Sequence, residues 1–511
     1  MNGSQTGIDV SYQVVFKGEL REGWSKDKAC SILHHKLNIP KKKCLSIFKK
    51  PTKIKRHLRY EQAIELAKKF FTCGLKVEIE KMDFDINSID FRSIFANKIK
   101  PRKPSFYYIV GLFASLIAVL LMPLIYLGVI SAVILFLVNY IQGLFEHGLY
   151  LSDLKNIFGL FFVMLKWVIP PLMSFSILFF LLKPLFASRN KERATFISKE
   201  DNPKLYELIE SLSFSIGCPM PAKIMCNSDA NASVSFVRGV HGIFKKQIQL
   251  TIGMPLVNGL DAKMFVGVLA HELGHFSQRY GMIVSYLINA VNGWLYSRAY
   301  EPDAIDSKIS EWFDKSDNGF MNIVYASMLT GIGLIRSLMS ILFSINLYFS
   351  AYFSRQMEYD ADSYEALISG SHNFKATSFQ LRKLYYSRHE IDYLAAASYD
   401  REYKVFSDIP EATKRLSELI DKVALKEIKK NMEQQQTMFW DSHPADNERI
   451  EKAEQLKHPG LFLESFPARL LVDSYQKLNN KVSFNFYSYE ALLLDPKECM
   501  SDFDEVMKAL A

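Results

Sequence analysis

Residues 271–275 read His-Glu-Leu-Gly-His, and the run before them, Met264 to Ala270, has the spacing of a buried helix. On a helix two histidines four apart share one face, so both imidazoles can bind one Zn2+ with Glu272 beside the open coordination position. Chance placement of His and Glu would give this five-residue pattern in about 1% of such chains, so two histidines merely packed in a core is the weaker reading. A hydrolytic zinc site needs a third protein ligand and a water. Glu358 is the best candidate, in the run Ser354-Arg-Gln-Met-Glu-Tyr-Asp-Ala-Asp362. Glu358 and Asp362 are again four apart, so one carboxylate can take the metal while the other orients a ligand histidine. Such an acidic run is more often a solvated helix face, but Met357 and Ala361 beside the acids argue for a partly buried one.

HELGH preceded by VLA, and followed about 80 residues later by SRQMEYDAD, resembles the membrane zinc metalloproteases that include HtpX and the CAAX prenyl protease. Asp229-Ala-Asn-Ala232, the run QLTIGMPLVNGL and His443-Pro-Ala-Asp-Asn-Glu-Arg-Ile450 fit the same pattern, so the resemblance spans roughly residues 200–455. It implies an endopeptidase of membrane-associated or misfolded proteins, with one Zn2+ per chain held by His271, His275 and Glu358. Glu272 is then the general base on the zinc-bound water and Asp362 stands behind the ligands. His443-Pro departs from the commoner His-Pro-Pro form. His443 or Arg449 could stabilise the oxyanion, or His443 could fill the fourth zinc position; a capping or loop role is equally open. Two rival readings are a CAAX-type processing enzyme, which would need a large intramembrane chamber, and an inactive zinc-bearing scaffold, against which the intact Glu272 argues. An exposed strand could hold an extended peptide substrate, and the 232–237 and 247–252 runs are the candidates.

These residues must be positioned by a chain that mixes charge with apolar blocks. Its 511 residues carry 62 Lys+Arg and 54 Asp+Glu, yet mean hydropathy is +0.01, an average that hides segregation of charged from apolar stretches. The first 104 residues carry a net +12 and the rest −4, and Pro104 to Phe145 holds no charge at all. That stretch far exceeds the roughly 20 residues needed to cross a bilayer. Two apolar blocks, Ser105–Gln142 and Ile157–Leu182, are flanked outside by Lys/Arg clusters, which predicts one net span per block and cytoplasmic outer flanks. Met122-Pro123 could mark a kink or a hairpin turn. Further apolar stretches at 281–297 and 320–353 separate His271 from Glu358, so an even number of spans lies between them; four spans in all are favoured, with packing of these helices as a lid the alternative.

The expected fold class is mainly α, α+β: a multi-span membrane protein with a helical zinc-metalloprotease core carrying a small sheet, plus a small N-terminal α+β domain. The divisions are a basic domain at 1–104, a transmembrane hairpin at 105–183, the HELGH part of the core at 184–280, a second apolar hairpin at 281–353, the part with the third ligand at 354–455, and a helical tail at 456–511. Strands are expected at 12–20, 44–48 and 75–79 of the basic domain, and helices at 25–37 and 61–71. Its Lys excess reads as a face near anionic membrane lipid and not as a nucleic-acid site. Residues 1–11 are polar, without the apolar core of a signal peptide. Six cysteines without a C-x-x-C pair read as reduced thiols. Together these place the protein in the cytoplasmic membrane as a multi-pass protein, with its chemistry facing the cytoplasm; oligomeric state is left open.

Overall fold

The computed structural model describes residues 11–37, 52–82 and 85–99 with a few around 46, then 106–147, 158–186 in part, 194–237, 247–301, 304–438 and 441–510, with single-residue gaps. The described chain is mostly helical, with small sheets and two helices long and apolar enough to cross a membrane.

The basic N-terminal module runs β1 (Ser11–Leu20), α1 (Lys26–Leu37), β2 (Thr52–Leu58), α2 (Tyr60–Thr72) and β3 (Leu75–Met82). Its antiparallel sheet has the order β2-β1-β3 and packs on the helices through Phe16, Leu33, Phe70 and Leu75. The strand expected at 44–48 is instead helical where it is described, and Cys44, Ile47 and Phe48 all meet the core, at the i, i+3, i+4 spacing of a helix. The strand lies at 52–58, a run (TKIKRHL) whose basic residues mask its alternation.

Next come α3 (Phe106–His147) and α4 (Ile169–Phe186). Pro123 sits inside α3 without breaking it, so Met122-Pro123 is not a hairpin turn. Packing explains the continuity: Met122, Tyr126 and Ile130 sit in one apolar cluster with Phe180 and Leu181 of α4, and the Tyr126 hydroxyl donates to the Leu181 carbonyl. Holding the turns on both sides of the proline offsets the backbone hydrogen bond it cannot make.

The remaining elements are β4 (Thr195–Phe196), α5 (Pro203–Ile216), β5 (Lys223–Asn227), β6 (Ala232–Phe236), β7 (Ile248–Gly253), α6 (Met254–Gly259), α7 (Ala262–Gly274), α8 (Arg279–Tyr300), α9 (Ala304–Asp314), α10 (Gly319–Ser369), α11 (Ser371–Glu402), β8 (Val405–Phe406), α12 (Ile409–Leu419), α13 (Lys422–Gln434), α14 (Asp446–Gln455), α15 (Tyr475–Tyr489), β9 (Met500–Ser501) and α16 (Phe503–Leu510). A four-stranded sheet, β4-β5-β7-β6, has β7 inside and β6 at an edge. The 247–252 run is therefore paired on both sides, and of the two candidate substrate strands only β6 keeps a free edge among the described residues. The largest core gathers α5, this sheet and α7. Phe91 and Phe95 join it from before α3, and Phe462, Phe466 and Leu471 from after α14.

Candidate active site

Helix α7 carries the two histidines. Asp261 caps it, its carboxylate accepting from the Met264 amide at 2.8 Å, and Phe265, Leu269 and Leu273 bury its apolar face. A second stripe, Gly267, His271 and Gly274, follows the i, i+4, i+7 spacing and faces α10. A Cβ at Gly267 would lie 2.8 Å from Ser369 Oγ, and one at Gly274 2.9 Å from Tyr364 Cδ2. Two missing side chains thus let α10 approach closely on either side of His271. The sequence reading did not single out these glycines, although their spacing from the histidine is visible in it.

Helix α10 brings Glu358 and Asp362 to that face. His271 Nε2 and His275 Nε2 are 3.3 Å apart, and they lie 3.6 and 3.8 Å from the Glu358 carboxylate oxygens. His271 Nδ1 faces Asp362 Oδ1 at 3.1 Å, which fixes the ring and turns Nε2 towards Glu358. Arg449 of α14 holds Asp362 with both arms of its guanidinium, Nη2 to Oδ1 at 2.6 Å and Nε to Oδ2 at 2.9 Å. His443 is exposed and places Nδ1 3.1 Å from Glu358 Oε1. All seven residues singled out in the sequence converge here; Glu272 is half-buried beside the pair, within electrostatic reach of His271, Glu358, Arg449 and His443.

The donor chemistry fits a small divalent ion. His271 Nε2, His275 Nε2 and a Glu358 oxygen all lie within 4.8 Å of one another. A tetrahedral ion with bonds of about 2.0–2.1 Å needs donor separations of about 3.3–3.4 Å, and the observed 3.3, 3.6 and 3.8 Å approach that. Electrostatics agrees. Burial works against charge on His271, but Asp362 and Glu358 outweigh it and hold its pKa up at about 9, so the pocket favours positive charge at this ring. Burial lowers His275 to about 4, leaving a neutral imidazole with a free lone pair, and raises Glu272 to about 7. His443 is raised by its hydrogen bond to Glu358.

Glu365 was missed in the sequence. It is buried one turn beyond Asp362, and with His271 and Asp362 it forms a second close group of ligand-type atoms. The series 358, 362, 365 repeats the i, i+4, i+7 spacing, which is the signal that could have found it.

The pattern of Peptidase family M48 matches residues 199–457, which contain every residue just described. The chain belongs to peptidase family M48. Within this family the chain is similar to the protease HtpX homolog of Desulfatibacillum aliphaticivorans, 31% identical over 195 residues that cover 37% of this chain and 56% of that protein. The HtpX homolog of Bacteroides fragilis (strain YCH46) is 26% identical over 191 residues, 37% of this chain and 54% of its own. That of Tropheryma whipplei (strain Twist) is 33% identical over 98 residues, 19% and 32% of the two chains. This M48 chain therefore spans between a third and a little over half the length of these relatives. No solved structure matches it.

Proposed function

We propose that the protein is a zinc-dependent endopeptidase of the membrane. The observation that carries this reading is the convergence of His271, His275 and Glu358 beside Glu272, in a chain of the M48 family. A zinc ion held by these three residues would supply the Lewis acidity that polarises a peptide carbonyl and acidifies water. Glu272, raised to about 7 by burial, is poised to take the proton of the attacking water and to return it to the leaving amine. Asp362 orients His271, and Arg449 is occupied in holding Asp362, which supports a positioning role for it and not contact with the oxyanion. His443, exposed at the rim, is better placed to meet a substrate. The free edge of β6, which runs beside α7, offers backbone groups to an extended substrate.

Membrane insertion is supported by two pairs of arginines. In α8 eighteen uncharged residues separate Arg279 from Arg298, and in α10 eighteen separate Arg336 from Arg355. Each run is about 27 Å of helix, close to the roughly 30 Å hydrocarbon thickness. With α3 and α4 this makes four spans, and the metal site lies at one end of the α8 and α10 pair. These four arginines stand at both ends and favour neither side; the Lys/Arg clusters outside α3 and α4 are what support a cytoplasmic metal-site end in a cytoplasmic membrane. The substrate class is membrane-associated or misfolded protein. The test is cleavage of an unfolded protein by the purified full chain: loss with a chelator and recovery with zinc are expected, and cleavage indifferent to chelator would overturn the reading.

A further inference from the structure

The two halves of the metal site adjoin the ends of two apolar helical runs. Three residues separate His275 from the start of α8, and Glu358 lies inside α10, which runs unbroken from Gly319 to Ser369. Besides the direct packing of α7 on α10, this short connection gives the placement of α8 against α10 a route to the geometry of the histidines against Glu358.

Between these helices, in the middle of the apolar runs, is a polar contact. Asn346 of α10 is fully buried and donates from Nδ2 to Asn292 Oδ1 of α8 at 2.7 Å. Around it, buried Ser350 donates to the Asn346 carbonyl at 2.7 Å, and buried Ser115 of α3 donates to the Phe349 carbonyl at 3.2 Å. Glu358 lies twelve residues beyond Asn346, about 18 Å along the helix.

Stability alone does not account for this pair. The other carboxamide atom, Asn346 Oδ1, has no partner among the described residues, and replacing two such buried groups by apolar ones of similar shape is close to neutral for folding. Hydrogen bonds between membrane helices also contribute little net energy, because polar groups find other partners when the helices separate. What a buried directional contact between largely apolar faces does provide is register; a second, exposed contact joins the same two helices nearer the far end of α8, Tyr300 Oη to Ser340 Oγ at 2.8 Å. Leucine and valine surfaces slide and rotate at small cost, whereas an amide donor meets its acceptor in one arrangement only.

We propose that Asn292 and Asn346 are positioning residues for the metal site: their hydrogen bond sets the register of α8 against α10, and so the separation of His271 and His275 from Glu358. The inference rests on the metal-site reading above.

The test uses the full chain in lipid nanodiscs, loaded with zinc, and measures the rate at which a chelator strips the metal beside the thermal unfolding midpoint. Asn292→Leu/Asn346→Leu is expected to release zinc about threefold or more faster than the wild type with an unchanged midpoint. Ile341→Leu, on the exposed side of α10, is expected to match the wild type in both. Unchanged release from the double variant would overturn the proposal, as would faster release that merely follows a lowered midpoint. A wild-type protein that holds no zinc would sink the metal-site reading and this inference with it, a result distinct from either.

Discussion

Arg449 grips Asp362 through two hydrogen bonds, 2.6 and 2.9 Å long, and Asp362 in turn faces His271 Nδ1 at 3.1 Å. The relay joins α14, α10 and α7, so a residue more than 170 positions from the histidine controls its orientation. A second bidentate pair, Arg382 of α11 on Asp446, fixes the start of α14 and so the place from which Arg449 reaches.

Asp362→Asn removes the charge that holds His271 while keeping the side chain's shape. Metal affinity or activity is expected to fall about tenfold to a hundredfold, as for other partners standing behind a metal ligand. Zinc competition against a chromophoric chelator reads this directly, and an affinity equal to that of the wild type would remove Asp362 from the site's machinery.

Arg449→Met leaves the buried Asp362 carboxylate without its cation. Breaking such a pair from one side costs about 3 kcal/mol or more, visible as a lowered unfolding midpoint. Arg449→Lys is expected to recover only part of the loss, because an ammonium cannot span both oxygens. Full recovery by lysine would show that charge alone matters here.

Gly274→Ala and Gly267→Ala put a methyl group against Tyr364 and Ser369. Pushing α10 away from α7 is expected to cost about 1–3 kcal/mol and to weaken metal binding together with stability. Variants with wild-type midpoints and zinc content would mean that the helices do not need this close approach.

Much of the site was legible in the sequence because helical spacing encodes it: 271 with 275 and 358 with 362 fix two faces without any knowledge of the fold. What local spacing could not supply was the third helix. Nothing near Arg449 says that it ends on Asp362, since that contact depends on how α14 packs across α10. The strand at 52–58 was hidden for a different reason. Lys53, Lys55 and Arg56 fall within it, and a period-two pattern fades when both faces carry basic residues. Likewise β6 and β7 both looked like strands, but which one has a free edge is a property of the sheet, settled by pairing of β7 with β5.

The four-span arrangement places α9 on the face of the membrane opposite the metal site. In a Cys499→Ser background, where the remaining cysteines are buried, Ser310→Cys is expected to react with an impermeant thiol reagent only from outside intact cells. Lys426→Cys on α13 should react only after lysis. Labelling of both positions from the same side would refute this topology.

Glu272 is proposed as the base of a metal-dependent hydrolysis. Glu272→Gln keeps the shape of the side chain and touches none of the three ligands, so the decisive measurement is zinc content and cleavage of an unfolded protein on the same purified sample. About one zinc per chain is expected, with cleavage lost by a factor of about a hundred or more. Cleavage at the wild-type rate by a zinc-loaded Glu272→Gln protein would contradict that role.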